Sequence, residues 1–327
     1  MAKIYLLVPP EKLVMNIMFQ DALQMDNVTM LSNPLGLDNK LKCFLFRIHN
    51  SAKLNKIVDL PNKVVWRTAK QSTLLKEDLP QERFFVIVLN PVVKYLSNEI
   101  VSVLKSEHDA VLCLCFLDPA EGKNSIDAMQ HLDWFDAVYS FDQEDCKKYG
   151  FRPFFQCYSV LKTDSDATAV NDLFFAGWAG KAGRNSSIMD ICMVAEAARV
   201  KIDIHLVKPT EKPKLYGVQY HDTAVPYPEI VAHLVKSRCI LDVVQSQQSG
   251  ASLKYLEAVC YNKKLLTNNE NIVHFPYYDE RYMKIYHAAS DIDFAWVCND
   301  DPVEYGYQND FSPINLLNTI MHDFGEV

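Results

Sequence analysis

The strongest constraint on this chain is a set of short runs that are apolar at nearly every position: Ile4 to Val8, Cys43 to Ile48, Phe84 to Leu89, Ala110 to Leu117 and Ala137 to Phe141. A strand wetted on one face alternates polar with apolar residues. Runs that do not alternate suit strands buried on both faces, which means parallel strands roofed by helices. Between two of these runs, Val93, Leu96, Ile100, Val101, Val103 and Leu104 fall on one stripe, so the spacing predicts a helix over Val93 to Leu104. Residues 10 to 40 carry no such pattern, and Asn33-Pro34-Leu35-Gly36 marks a turn without naming what it joins.

From Leu161 to Asn171 the residues become small and polar, the composition of a linker. The alternation then resumes. Strands are expected at Leu173 to Ala176, Lys201 to Val207, Cys239 to Val244 and Lys264 to Thr267, with helices at Ser187 to Val200, Pro228 to Lys236 and Ser252 to Tyr261. The expectation is an α/β chain of two Rossmann-like domains, residues 1–165 and 166–327, each with a mainly parallel sheet and right-handed crossovers. Ile314 to Phe324 reads as a final helix whose apolar side can pack on either domain, including back on the amino-terminal one.

Composition narrows the partners. The 327 residues carry a formal charge of -8 with no lysine or arginine block, so phosphate backbone would repel the chain and no nucleic acid is expected to bind. Nine cysteines, mostly in apolar stretches such as Cys113, Cys115, Cys239 and Cys260, suit a reducing compartment. The nine histidines stand singly, and the CxxC and HExxH spacings are absent, so no metal site is expected. The opening apolar run is too short for a signal peptide, and Ala110 to Leu117 is too short to span a bilayer. A cytoplasmic protein is expected, peripheral at the inner membrane face only if a partner holds it there.

Only ten residues are glycine, well under the usual ~7%, so their placement carries information. Gly177, Gly180 and Gly183 fall in Phe175-Ala-Gly-Trp-Ala-Gly-Lys-Ala-Gly-Arg184, between an expected strand and an expected helix. Glycines there let backbone N–H groups approach an anion at a helix N-terminus, and Lys181 and Arg184 add positive charge. The spacing is neither the dinucleotide fingerprint nor the P-loop. A flexible loop with ordinary solvated charges is the alternative. A second candidate, Gln245-Ser-Gln-Gln248-Ser249-Gly250-Ala-Ser252-Leu-Lys254-Tyr-Leu-Glu257, follows another expected strand. In an open parallel sheet both loops should face one crevice. Ser249 and Ser252 are placed to meet phosphate oxygens. Glu257 lies about 90° from the centre of its helix's buried stripe, at the border of the core, where its carboxylate can accept from two neighbouring hydroxyls such as a ribose presents. An i,i+3 ion pair of Lys254 with Glu257 on a wet face is the other possibility.

The run Leu253-Lys-Tyr-Leu-Glu257-Ala-Val-Cys-Tyr-Asn-Lys-Lys-Leu-Leu-Thr267 resembles a segment of the carboxyl domain of GT-B glycosyltransferases. Phe135 to Asp142, with Asp145 and Lys148-Tyr-Gly150, resembles the end of the amino domain in CgeB-like and exopolysaccharide glycosyltransferases of bacteria. The resemblance implies two Rossmann-like domains facing each other across a cleft. It implies transfer of a sugar from a nucleotide-diphosphate sugar, a uridine diphosphate sugar among the candidates, to a glycan, lipid-linked or protein acceptor in surface glycan synthesis. It also implies donor contacts at Gly177, Gly180, Lys181, Arg184, Gln248, Ser249, Gly250, Ser252, Lys254 and Glu257, with Glu257 at the ribose and Gly217 to His221, including Tyr220, near the nucleobase. Many retaining members carry a glutamate where this chain has Ser249, so the resemblance favours an inverting enzyme in which a base deprotonates the acceptor. Asp118, closing an expected strand, is the candidate base; a cap or turn role before Pro119 is the alternative. No cofactor is expected. Two DxD triplets, Asp164-Ser-Asp166 and Asp291-Ile-Asp293, lack the setting of a manganese site. A non-catalytic partner subunit of the same fold is the competing expectation, since Ser249 and Lys254 depart from the family pattern.

Overall fold

The computed structural model describes residues 1–9, 17–31, 41, 44–45, 48, 79–122, 124–163, 168–179, 184–244 and 250–326. The chain divides into two compact units, Met1–Phe154 with Pro313–Val327, and Phe155–Ser312. The second unit therefore begins ahead of the polar Leu161 to Asn171 stretch. Phe155 and Tyr158 explain why: the Phe155 ring stacks on Phe311 at 5.2 Å, and the Tyr158 N–H donates to the Phe311 carbonyl at 2.7 Å.

In the first unit, β1 (Lys3–Leu7), β2 (Val28–Leu31), β3 (Phe84–Leu89), β4 (Ala110–Phe116), β5 (Ala137–Ser140) and β6 (Arg152–Pro153) form one six-stranded sheet in the order β2-β1-β3-β4-β5-β6. Every pairing is parallel. All six residues of β3 and all seven of β4 are buried, as two-sided burial demands. The expected helix over Val93 to Leu104 is instead a 3-10 turn, Asn90–Tyr95, followed by α1 (Asn98–Ser106). Pro91 opens the turn, and the Ser97 hydroxyl caps α1 by accepting the Ile100 N–H at 3.4 Å. The strand expected over Cys43 to Ile48 lies partly outside the described residues, but Phe44, Leu45 and Ile48 are helical. Leu41, Phe44, Leu45 and Ile48 have helical spacing, and the contiguous apolar run masked it. After α2 (Ile126–Gln130), α3 (Gln143–Tyr149) starts at Asp142, whose carboxylate accepts the Glu144 and Asp145 N–H groups, and stops at Gly150 in the left-handed region.

In the second unit, β7 (Asn171–Trp178), β8 (Ile202–Val207), β9 (Val218–His221), β10 (Ser237–Asp242), β11 (Lys264–Thr267) and β12 (Met283–Ile285) form another six-stranded, all-parallel sheet, ordered β12-β11-β10-β7-β8-β9. One face packs on α4 (Arg184–Ala197): Leu173, Phe175, Ile204, Leu206 and Leu241 meet Ile188, Ile191, Cys192 and Ala195. On the other face lie α5 (Tyr227–Leu234) and α6 (Leu253–Cys260), with α7 (Phe294–Cys298) completing the unit. The final helix, α8 (Pro313–Asp323), belongs to the first unit, where Asp323 accepts hydrogen bonds from Tyr139 at 2.8 Å and Arg152 at 2.9 Å. No described helix is long and apolar enough to cross a membrane.

Candidate functional site

Counted along the second unit, its sheet has the order 3-2-1-4-5-6, with a topological switch between β7 and β10. The chain leaves β7 for α4 on one face and β10 for α6 on the other, and the carboxyl ends of strands at such a switch point are where open α/β sheets take ligands. Both sequence-selected loops leave the sheet there. Of their residues, Gly180, Lys181, Gly183, Gln248 and Ser249 lie outside the described set.

Arg184, the first residue of α4, is the centre of what is described. Its guanidinium lies 5.4 Å from the Phe175 ring centroid, and its buried Nε has no hydrogen-bond partner among the described residues. Burial pulls its pKa below the ordinary guanidinium value, with the nearby Asp242 acting the other way. Gly177 leaves room for the Phe175 ring: a Cβ on Gly177 would lie 3.0 Å from Phe175 Cζ, while an Arg184 terminal nitrogen is 3.8 Å away. Beside it Trp178 is 51% exposed, an uncommon placement for so large an apolar ring, with Lys208 Nζ 5.3 Å from its centroid.

Across the switch point, Asp242 ends β10 as a buried carboxylate. Its Oδ2 accepts from Ser252 Oγ at 2.8 Å and Thr267 Oγ1 at 3.0 Å. Burial pushes its pKa up, and those two hydroxyls, Arg184 and Lys254 act against that. Ser252 is thus not the free phosphate ligand expected of it: its hydroxyl proton goes to Asp242 while its oxygen caps α6 by accepting the Tyr255 N–H at 3.1 Å. The Gly250 carbonyl accepts from Asn269 Nδ2 at 3.4 Å, and Asn268 bonds both Val244 N–H (2.7 Å) and Val244 C=O (3.2 Å), which sets the base of the second loop.

The expected border position of Glu257 is corrected. Glu257 is 0% exposed, its Oε1 accepting from Tyr227 at 2.8 Å and its Oε2 from Lys254 at 2.7 Å. The i,i+3 pair with Lys254 does form, but in a dry setting. Tyr227 passes the network to Tyr158 at 2.8 Å, and Tyr158 to Tyr261 at 3.0 Å, so the carboxylate ties α5, α6 and the segment entering the unit. A ribose would reach it only after Tyr227 or Lys254 swung away. The helical wheel could not show this, because Tyr227 comes from α5.

Tyr220 stands on the outermost strand, β9, half-buried, with its hydroxyl donating to the Pro213 carbonyl. Asp118 belongs to the first unit, in the turn after β4, and its Oδ2 accepts from Asn124 at 2.9 Å. That turn is held by the fully buried Asn90, which accepts the Leu117 N–H at 2.9 Å and donates to Ser125 Oγ at 3.0 Å. The described residues therefore bring Gly177, Arg184, Gly250 and Ser252 to one end of adjacent strands and leave Tyr220 on the far strand. Sequence reasoning missed Asp242 and Trp178. The charge inside the Cys239 to Val244 run and the indole inside the glycine motif were the available signals.

Elsewhere in the second unit, Asp203, His205 and His233 converge, which the isolated histidines of the sequence did not foretell. The His205 Nε2 lies 3.0 Å from Asp203 Oδ1 and His233 Nδ1 2.7 Å from Oδ2. Burial opposes ionisation of Asp203, but these hydrogen bonds outweigh it and hold its carboxyl below the usual range.

No family model matches the chain, and no curated protein does. Among solved structures it is similar to the glycotransferase of kitacinnamycin, with 11% identity, 98% of each chain covered and a TM-score of 0.47. It is also similar to the spinosyn forosaminyltransferase SpnP, with 10% identity, 98% of this chain and 99% of the other covered, and a TM-score of 0.46. A third is a DNA-modifying beta-glucosyltransferase solved with and without uridine diphosphoglucose, with 12% identity, 90% and 87% covered, and a TM-score of 0.45. Likeness at this level assigns no role to any residue of this chain.

Proposed function

We propose that the second unit binds a nucleotide-diphosphate sugar at the carboxyl ends of β7 and β10, and that the protein is a GT-B glycosyltransferase. The observation that carries the reading is Arg184: a guanidinium with its Nε buried and unpartnered among the described residues, at the start of a helix and at a topological switch point. Asp242 is a nearby counter-charge, but the desolvated Nε has no hydrogen-bond partner among the described residues, which is costly, and a helix start adds further positive potential, so a diphosphate is a fitting occupant. Arg184, Lys181 and backbone N–H groups of the glycine loop would carry the leaving-group charge, and no metal is assigned to that task. Trp178 offers a ring face for the nucleobase.

The sequence resemblance supports transfer of a sugar, and Ser249, where many retaining members carry a glutamate, supports an inverting course. The acceptor is assigned to the first unit, with Asp118 as the base that takes the acceptor proton. A glycan, lipid-linked or protein acceptor of bacterial surface glycan synthesis is the proposed class. Release of nucleoside diphosphate from a panel of sugar nucleotides, with Asp118→Asn slowing transfer to acceptor more than donor binding, is the expected result. A protein that binds nucleotide but never releases it from any sugar nucleotide would instead be the non-catalytic partner subunit, a reading favoured by the sealed state of Glu257.

A further inference from the structure

We propose that Asp203, His205 and His233 form a divalent transition-metal site of the zinc type, built into the second unit and separate from the Arg184 crevice. Asp203 and His205 are two residues apart on β8 and so project from one face, while His233 comes from α5, which packs on that face. One ligand atom from each lies within 4.8 Å of the others. Zinc bonds of roughly 2.0–2.2 Å in a tetrahedral shell put neighbouring donor atoms about 3.3–3.5 Å apart, so small side-chain adjustments close the shell around an ion.

The surroundings suit a metal. Asp203 and His205 are buried at 7% and 3% exposure, whereas the His233 side chain is 42% exposed. His233 and Asp203 line a cavity of about 300 Å³ together with Val170, Asn171, Ala232 and Lys236, which gives an entry path and room for a fourth, water ligand. The partners behind the ligands are also present. With His205 bound through Nε2, its Nδ1–H donates to His221 Nε2, 3.0 Å away, and Asn171 Nδ2 lies 3.3 Å from Asp203 Oδ2. Such outer partners fix the ring and the tautomer of a ligating histidine. Two imidazoles and one carboxylate favour zinc, cobalt, nickel or copper over magnesium and calcium, which prefer oxygen.

The location sets the role. Val170, Asn171 and Lys236 lie at the starts of β7 and β10, and Asp203 is the second residue of β8, so the site is at the opposite end of the strands from Arg184. A metal here staples β8 to α5 and stabilises the unit without entering the donor crevice.

Cobalt(II) titrated into chelator-treated protein reads the site directly. One equivalent is expected to give the visible absorption of a four-coordinate nitrogen and oxygen set, zinc is expected to displace it, and stoichiometric zinc is expected to raise the melting temperature by several degrees. His233→Ala, at a half-exposed position, should lose both effects while its chelator-treated melting temperature stays near that of the parent. If that variant fails to fold, His233→Asn keeps a donor toward Asp203 and serves the same purpose. No cobalt spectrum and no zinc-dependent shift in the parent would overturn the site and leave a hydrogen-bonded network alone. Unchanged uptake in both His233→Ala and His205→Gln would also overturn it, since the metal would then sit on other residues.

Discussion

Lys254 Nζ and Glu257 Oε2 are 2.7 Å apart in a site where Glu257 has no accessible surface. A buried pair adds little when intact but costs much when broken, because the surviving charge loses its partner in a medium that does not solvate it. Glu257→Ala strands both the Lys254 ammonium and the Tyr227 hydroxyl. It is expected to destabilise the second unit by about 3–5 kcal/mol in urea unfolding. The double variant Lys254→Met with Glu257→Leu should recover much of that loss. Equal losses from the single and double variants would show that the pair is not coupled.

Gly217 has φ +72, and a Cβ there would sit 2.2 Å from the Ile202 carbonyl oxygen. Left-handed backbone and a backbone clash act together, so Gly217→Ala should cost about 2–5 kcal/mol in the same assay. A cost near zero would place the β8–β9 connection differently from the structure.

In the first unit, the Asp323 carboxyl is held below the usual range chiefly by the Tyr139 hydrogen bond, with burial opposing and Arg152 assisting. A depressed folded-state pKa contributes stability above the unfolded value and loses it as pH falls through the folded value. Below about pH 4, amide protection in α8 should fall, and Asp323→Asn should flatten that acid limb. An identical acid limb in both proteins would remove Asp323 as the cause.

The parts of the fold legible in the sequence are those buried on both faces. Phe84 to Leu89, Ala110 to Leu117 and Lys264 to Thr267 are strands because a parallel sheet roofed by helices leaves no polar side to disguise them. Strands β2, β9 and β12 escaped notice because each has three or four residues and lies at a sheet edge, where burial imposes little pattern. The strands before the two candidate loops, the first loop chosen for its glycines and the second for following a strand, are neighbours in the sheet. The burial of Glu257 and the meeting of His233 with Asp203 were not legible. Each depends on α5, an element distant in sequence, and no local periodicity records what covers a helix.

On the proposed function, Arg184 holds a phosphate of the donor. An unpaired buried Nε is a cost to the free protein, so Arg184→Met should leave its stability within about 1 kcal/mol of the parent, or raise it. Nucleoside diphosphates titrated against the melting temperature measure the other half. The parent should gain on the order of 2.7 kcal/mol at a hundredfold excess over Kd with at least one of the uridine, guanosine, thymidine and cytidine diphosphates, and the variant should lose most of that gain. Equal nucleotide stabilisation of both proteins, or none of the parent by any of the four, would contradict the account.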